Sequence, residues 1–462
     1  MHGIPVKQGR RKGNEELKAI PSVRTRNPLS STLAFRRDPL HFISTIIAEY
    51  GDIVQFRLLN MPIVIINHPD YIKHVLVDNQ ANYDKDVFLF RVVRPVLRNG
   101  LIANVGGENW LHQRRLMHPV FHRQRIATLG KLMTDTTLEK LQQWEQETSD
   151  RPLNVTEEMG RLTLQIVIRS LFGAEITDKA PVFEQAFTEA NNVLGAFVRF
   201  PFPPLTVSTP SHHRLWKAIR AMDEIVYDII RRHQGSEDTG DLLSLLMRVV
   251  DEETGEGMSV EQLHDEVLNV LVGGYETTTN IIAWAWYLLA RHPEIERRFH
   301  EEIDSVLEGR VPTVDDLPQL AYTRMLIDEA LRFYPPAWQI MRRTREDDVL
   351  GGYHVPANTT IFWTQYTVHR HRDFWKDPEQ FDPERFTPEK VAARSRYAYI
   401  PFSYGPRICI GNSFALTEIQ LVLATVAQRY RLTMLPGPPV KTIALITLRP
   451  SDNIRMSLEP RS

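Results

Sequence analysis

The chain has 462 residues, 42% of them hydrophobic, and sets 55 Lys and Arg against 57 Asp and Glu. A formal charge of −2 gives no basis for bulk attraction to nucleic acid or to an anionic membrane. The single cysteine excludes an intrachain disulfide and fits a reducing, cytoplasmic setting, and no apolar run of roughly 18 residues or more announces a membrane span or anchor. The basic start, Met1 to Lys12, has no apolar stretch behind it and does not read as a secretory signal. Residues 1–34 are polar, with several prolines, and are expected to be loosely ordered; the folded body is expected over 35–462.

A helix is predicted over Pro39 to Tyr50. Ile53–Leu58 and Ile63–Asn67 are rich in β-branched residues and read as strands about a turn at Asn60-Met61-Pro62, giving a small N-terminal sheet over about 53–67. A further helix starts at His68-Pro69-Asp70. Phe88, Leu89, Phe90, Val92 and Val93 are apolar without clear periodicity, and 83–105 is read as a connection. Trp110 and Arg114 are four apart, so on a helix their indole N–H and guanidinium can aim at one anion. Residues 125–250 read as amphipathic helices with breaks near Asp150-Arg151-Pro152 and Gly235 to Gly240. Phe197 to Pro210 carries Pro201, Pro203, Pro204 and Pro210 and cannot continue a helix.

Ser259 and Gln262 fit a capping box, and the helical pattern then runs to Arg291, ~33 residues or roughly 50 Å. Gly273-Gly274 lies in its middle, where two glycines cost about 1 kcal/mol each relative to alanine, and three threonines follow at 277–279. Such a conflict inside a strong helix marks a kink or a site. Thr277 can turn its hydroxyl onto the carbonyl of Gly273. Glu329 and Arg332 are i,i+3 neighbours on a later helix, worth about 0.3–0.5 kcal/mol if exposed. Pro336 to Arg342 is expected to bend toward a pocket. Gly351-Gly352-Tyr353 and Thr359 to Trp363 read as hairpin strands, and Ile443 to Ile446 as a β-tip.

The only cysteine, Cys409, sits between Gly405 and Gly411, which are read as allowing a tight turn. A helical pattern starts after Gly411, so the sulfur should feel a helix N-terminus, with Arg407 adding positive charge; both favour thiolate. Phe402-x-x-Gly405-x-Arg407-x-Cys409-x-Gly411 resembles the haem-binding loop of the cytochrome P-450 family, the haem-thiolate monooxygenases. Three further motifs stand in family order. Trp110 with Arg114 resembles the propionate clamp. Gly273-Gly274-Tyr275-Glu276-Thr277-Thr278 resembles the oxygen-handling segment. Glu329, Arg332 and Arg385 (in Pro383-Glu384-Arg385-Phe386) resemble the family's structural triad.

The resemblance covers about 35–450. It implies one mainly α domain with small β-sheets (α+β), enclosing haem b. It makes Cys409 the iron ligand and gives Trp110, Arg114, Arg342, Arg407, Phe402 and Gly273 to haem binding, with Arg343 as the alternative to Arg342. Gly273 would leave room for a flat cofactor and O2. Glu276 and Thr277 would be the acid and alcohol that deliver protons during O–O cleavage. Phe88, Phe90, Phe197, Val270, Ala337 and Ile446 are expected to line an apolar substrate pocket, for a fatty acid, terpenoid, steroid or polyketide. The implied protein is a cytoplasmic monomer that inserts one oxygen atom of O2 and takes electrons from a separate ferredoxin or flavodoxin. Such a donor would dock near Arg114, Arg115, His118, His122, Arg123 and Arg125. No nicotinamide- or flavin-binding glycine fingerprint is seen. A peroxide-using isomerase or peroxygenase, or a haem sensor or carrier, are the competing classes. The intact acid–alcohol pair speaks against the first, and the lack of a visible output domain against the second.

Overall fold

Strands β1 (Ile53–Leu58) and β2 (Met61–Ile66) pair antiparallel, with Ile53 opposite Ile66 and Leu58 opposite Met61. The turn is therefore Leu59-Asn60, with Leu59 at φ 53°; Met61 and Pro62, expected in the turn, already belong to β2. This hairpin is not a separate N-terminal sheet. It joins β3 (Tyr83–Asp84), β4 (Gln339–Thr344) and β5 (Thr360–Thr364) in the order β1-β2-β5-β4-β3. Among the pairings of these five strands, β2–β5 is the parallel one, as befits strands nearly 300 positions apart in the chain that no tight turn could join. The second expected hairpin also differs. Asp348–Leu350 pairs with Tyr353–Val355 through Gly351 and Gly352, both at positive φ, while Thr360–Thr364 leaves for the large sheet.

The structure is a computed structural model and describes residues 17–24, 29–147, 152–173, 179–234, 241–251, 253–451 and 453–461. The predicted breaks at 150–151 and 235–240, and much of the stretch expected to be loose, lie outside the described residues. Within that stretch, Ser30–Arg37 is helical, and Lys18 and Ser22 bridge to Tyr353 and Gln55.

The helices that build the site are α1 (Phe88–Leu97), α2 (Glu108–Met117), α3 (Val155–Phe172), α4 (Ala180–Arg199), α5 (Pro210–His233), α6 (Val260–Arg291), α7 (Ala321–Phe333) and α8 (Asn412–Arg429). The region read as a connection is thus helical at α1. Its buried residues, Leu89, Val92, Val93, Val96 and Leu97, follow the i, i+3, i+4 spacing of an amphipathic helix. Phe200 to Thr209 links α4 and α5 without regular structure, with Phe202 70% exposed at its turn.

Helix α6 is the axis of the molecule. The Ser259 hydroxyl accepts the Gln262 N–H at 3.2 Å, and Pro293 follows the end at Arg291. Every residue from Ile281 to Leu289 is buried, so this half runs through the core. In the other half Gly274 lets α6 lie against α3: a Cβ there would stand 3.1 Å from Val167 Cγ2. Among the described residues no helix is long and apolar enough to cross a membrane.

Candidate active site

A cavity of about 390 Å³ lies between α6, α2 and the 401–411 loop. Its size and mainly apolar wall suit a cofactor or small-molecule site.

The loop's shape follows from close backbone packing. Gly405 has φ 73°, and a Cβ there would fall 2.2 Å from the Leu76 carbonyl oxygen, so no other residue fits. Ser403 also has positive φ, at 62°. The Cys409 N–H donates to the Phe402 carbonyl at 2.9 Å, which folds the loop back and presents the sulfur to the cavity. Gly411 plays a different part from the one expected. Its φ is −86°, an ordinary value, and a Cβ there would meet only open space. It lies in the turn before α8, but no backbone angle there demands glycine.

The sulfur is reached from the cavity yet lies deep in the protein. Burial pushes the thiol up, opposed by a hydrogen bond from the Gly411 N–H and by the charges of Arg114 and Lys85. Arg407, expected to supply that charge, is directed elsewhere. Its guanidinium stacks 4.2 Å from the Trp110 ring and donates to the Asn104 and Val105 carbonyls at 3.0 and 2.8 Å.

Three cations stand on the cavity wall, Lys85, Arg114 and Arg407, and a fourth, Arg342, lies off that wall but close enough to act on Lys85 and to feel Arg407. Burial lowers the pKa of each: Arg342 to about 9, with Arg407 as second cause, and Arg407 to about 10. Lys85 is held well below its ordinary value by burial and then by Arg342, Arg407 and Arg114. Its ammonium donates to the Ile102 carbonyl at 3.0 Å and lies 4.9 Å from the Phe90 ring. Arg342 donates to the Met341 carbonyl at 2.8 Å. None of the four forms an ion pair with a carboxylate among the described residues. Arg343 is the contrast, paired with Asp84 at 3.0 Å and Asp86 at 2.7 Å. Of the two arginines considered for a propionate, Arg342 is therefore the one left open.

The set fits haem b. Asp84 acts on Arg342 and Arg407 without pairing with either; buried cations lacking a paired carboxylate are costly, and haem's two carboxylates would answer them. Its flat body suits the apolar wall, and a thiol stands in the cavity for its iron. At Gly273 a Cβ would find only Ile102 Cδ1, at 3.4 Å, and otherwise the cavity. Lys85 escaped sequence reading, since it belongs to no motif and acquires its place from the β3–α1 connection and the contact with Ile102.

Thr277 stands on the cavity wall, its hydroxyl donating to the Gly273 carbonyl at 2.6 Å. Glu276 is buried but lies off that wall. Asn191 Nδ2 donates to its Oε1 at 2.6 Å. Burial pushes its carboxyl up, against the pull of Arg449.

Of the expected pocket residues, Val270 and Ala337 stand on the cavity wall. Phe88 and Phe197 instead stack on each other at 6.4 Å, and Phe88 borders a separate space of about 40 Å³. Phe90 lies against Lys85, and Ile446 packs on the core at the tip between Thr442–Ala444 and Leu448–Pro450.

Arg332 is wholly buried and meets Glu329 through two bonds, 2.6 and 2.8 Å. It also donates to the carbonyls of His369, Pro378 and Gln380. His369 Nε2 in turn accepts the Ile400 N–H at 3.0 Å, one residue before the loop. Arg385 is 3.5 Å from Glu329 and spends its donors on the carbonyls of Lys376, Asp377 and Gln380. On the outer side of α2, Arg115 is paired with Asp251 at 2.9 Å and Glu253 at 3.1 Å, whereas His118, His122, Arg123 and Arg125 are exposed.

Comparison with known proteins agrees with this geometry. The cytochrome P-450 family profile matches residues 21–457. The chain is 35% identical to cyclooctatin synthase of Streptomyces melanosporofaciens, over 93% of each chain. It is 37% identical to cyclooctat-9-en-7-ol 5-monooxygenase of the same organism, over 88% of each. With pentalenene oxygenase of Streptomyces avermitilis it shares 34% over 92% of this chain and 94% of that one. The crystal structure of the haem domain of cytochrome P450DA superposes with a TM-score of 0.88 at 26% identity, covering 96% of this chain and 98% of that one. The chain belongs to the cytochrome P-450 family: it is a haem-thiolate monooxygenase that uses haem b, O2 and electrons from a redox partner.

Proposed function

We propose that this monooxygenase hydroxylates a polycyclic terpenoid. The observation that carries the reading is the apolar wall between the Gly273–Thr277 face of α6 and Cys409, taken with relatives named for cyclooctatin, cyclooctat-9-en-7-ol and pentalenene. A rigid hydrocarbon body offers little to hydrogen-bond and is held by shape and apolar contact.

Haem supplies the activation of O2 when bound. In the reading proposed, Cys409 would ligate its iron, and Arg114, Arg342, Arg407, Trp110 and Lys85 would hold its propionates. Phe402 would fix the loop that presents the sulfur, through its carbonyl, and Gly273 would leave space on the cavity wall for the bound group. Thr277 presents its hydroxyl to the cavity and hands on protons. Glu276 serves as the reservoir behind it, its burial keeping the carboxyl protonated to higher pH than usual. Electrons come from an acidic ferredoxin or flavodoxin that meets the exposed His118 to Arg125 stretch, with the enzyme acting as a monomer in the cytoplasm.

Titration with a panel of cyclic terpenoids, read by the haem spin-state shift, followed by turnover under labelled O2 with ferredoxin and its reductase, tests the reading. A labelled alcohol is expected from at least one panel member. Spin-state shifts with fatty acids or steroids and none with terpenoids would overturn it. In Thr277→Ala, reductant should still be consumed while most of it appears as peroxide. Full coupling of electrons to alcohol in that variant would remove the role given to Thr277.

A further inference from the structure

The cavity wall carries one charged-type group that the chemistry above does not use. Glu266, on α6, is fully buried and stands on that wall. Its Oε2 accepts the Leu101 N–H at 3.0 Å. Its Oε1 has no hydrogen-bond partner among the described residues.

The neighbouring polar residues are used up. Asp265 accepts the Asn99 N–H at 3.1 Å. Asn269 accepts the Ile102 N–H at 3.0 Å and donates to the Leu97 and Asp265 carbonyls at 2.9 and 2.7 Å. Together these side chains hang the 99–102 turn on α6. A single acceptor on residue 266 would complete that task, and an amide could supply it. The second carboxyl oxygen is surplus to it.

Other polar atoms on the wall also lack partners. Those of Ser170 and Thr278 can turn onto carbonyls of their own helices. Gln365, after β5, keeps a spare amide and marks a second polar point. A carboxyl is the costlier group to leave unanswered in an apolar setting. Burial raises its pKa to about 8, so at neutral pH it is protonated and can both donate and accept.

Position gives the group its meaning. Glu266, Val270, Gly273 and Thr277 share one face of α6, spaced by four, three and four residues. At 1.5 Å per residue Glu266 is about 10 Å along the helix from Gly273 and about 16 Å from Thr277. We propose that Glu266 is a specificity-determining residue that hydrogen-bonds a hydroxyl or carbonyl at the end of the substrate remote from the carbon being oxidised. The preferred substrate is then an already oxygenated terpenoid rather than the parent hydrocarbon. The class of reaction that supplies it is a prior hydroxylation, or a cyclisation that ends in water capture. This inference rests on the terpenoid reading and narrows it.

The test is a pair of tricyclic diterpenes that differ by one hydroxyl, abietadiene and abietadienol, titrated into haem-loaded enzyme by the spin-state shift. Wild type is expected to bind the alcohol about tenfold tighter. Glu266→Gln keeps an acceptor for Leu101 and a donor for the ligand, and should retain the preference to within about threefold. Glu266→Leu should bring the two ligands to within about twofold of each other, whatever shift both share from the freed Leu101 N–H. A purely structural Glu266 would shift both ligands together. Equal binding of the pair by wild type, or an unchanged ratio in Glu266→Leu, overturns the inference alone. If Glu266→Leu does not take up haem, the wild-type ratio decides. Absence of any shift with every terpenoid overturns the terpenoid reading, and this inference with it.

Discussion

Two sets of buried cations in this molecule behave in opposite ways. Arg332 is closed: two bonds to Glu329 and three carbonyls account for its guanidinium, and nothing from outside is required. Lys85, Arg342 and Arg407 are open: burial weakens their hold on the proton, neighbouring cations weaken it further, Asp84 offsets Arg342 and Arg407 only without touching them, and no carboxylate pairs with the three among the described residues. A buried charge without a partner costs several kcal/mol. A closed cation is thus a part of the scaffold, and an open cluster is a demand for an anion. The same residue type acquires its role from what surrounds it.

That contrast breaks most visibly at the closed end. Arg332→Ala leaves Glu329 buried and releases three carbonyls, at about 3–5 kcal/mol. The link through His369 to Ile400 loosens with it, so the purified variant should lack the thiolate spectrum of its reduced carbon monoxide complex and melt far below wild type. A melting temperature within a few degrees of wild type, with that spectrum intact, would mean the network is not what holds the loop. At the open end the effect is smaller and of a different kind. Arg342→Ala removes a repulsive neighbour of Arg407 and Lys85, so the haem-free chain should not be destabilised. The haem-loaded protein should instead pass its haem to apomyoglobin about tenfold faster, as expected for losing one charge-assisted bond. An unchanged transfer rate would show that Arg342 does not hold the cofactor.

How much of this could be read from the chain depended on how local each feature is. The 401–411 loop and the middle of α6 carry their reasons within a few residues, and Thr277 bonds to Gly273 one turn away, as anticipated. The limits of α6 were equally plain, because Ser259 and Pro293 mark them. The β1–β2 turn was misplaced by the presence of Pro62, which is tolerated near the start of β2, ahead of the residues that pair with β5. Helix α1 was missed although Leu89, Val92, Val93, Val96 and Leu97 have helical spacing; Phe88 and Phe90 blur the pattern, and Pro95 lies inside it. The union of β2 with β5 was not legible, because a parallel contact between distant strands leaves no turn in the sequence. Lys85 and Glu266 were invisible for the same reason: each is defined by the 99–102 region folding over it. Even within the motif, Gly405 and Gly411 look alike as letters, while one is forced by the Leu76 carbonyl and the other faces open space.

The smallest expected effect carries the same contrast to the surface. Arg115 is closed by Asp251 and Glu253, while Arg123 and Arg125 are exposed and free of ion pairs among the described residues. An acidic electron donor is drawn by unanswered charge, since a cation already paired contributes little net field beyond its partner. Arg123→Glu with Arg125→Glu should therefore slow reduction by ferredoxin several-fold at low salt. The difference from wild type should shrink as ionic strength rises from about 0.1 M to about 1 M and the Debye length falls from about 10 Å to about 3 Å. Arg115→Glu should mainly lower the melting temperature, because it sets three carboxylates side by side, and should slow reduction less. Substrate affinity, measured by the spin-state shift, should stay the same in all of these variants. Equal slowing by Arg115→Glu and by the Arg123, Arg125 pair would erase the distinction between closed and open cations at the surface. Reduction that ignores salt in wild type would mean that the donor docks elsewhere.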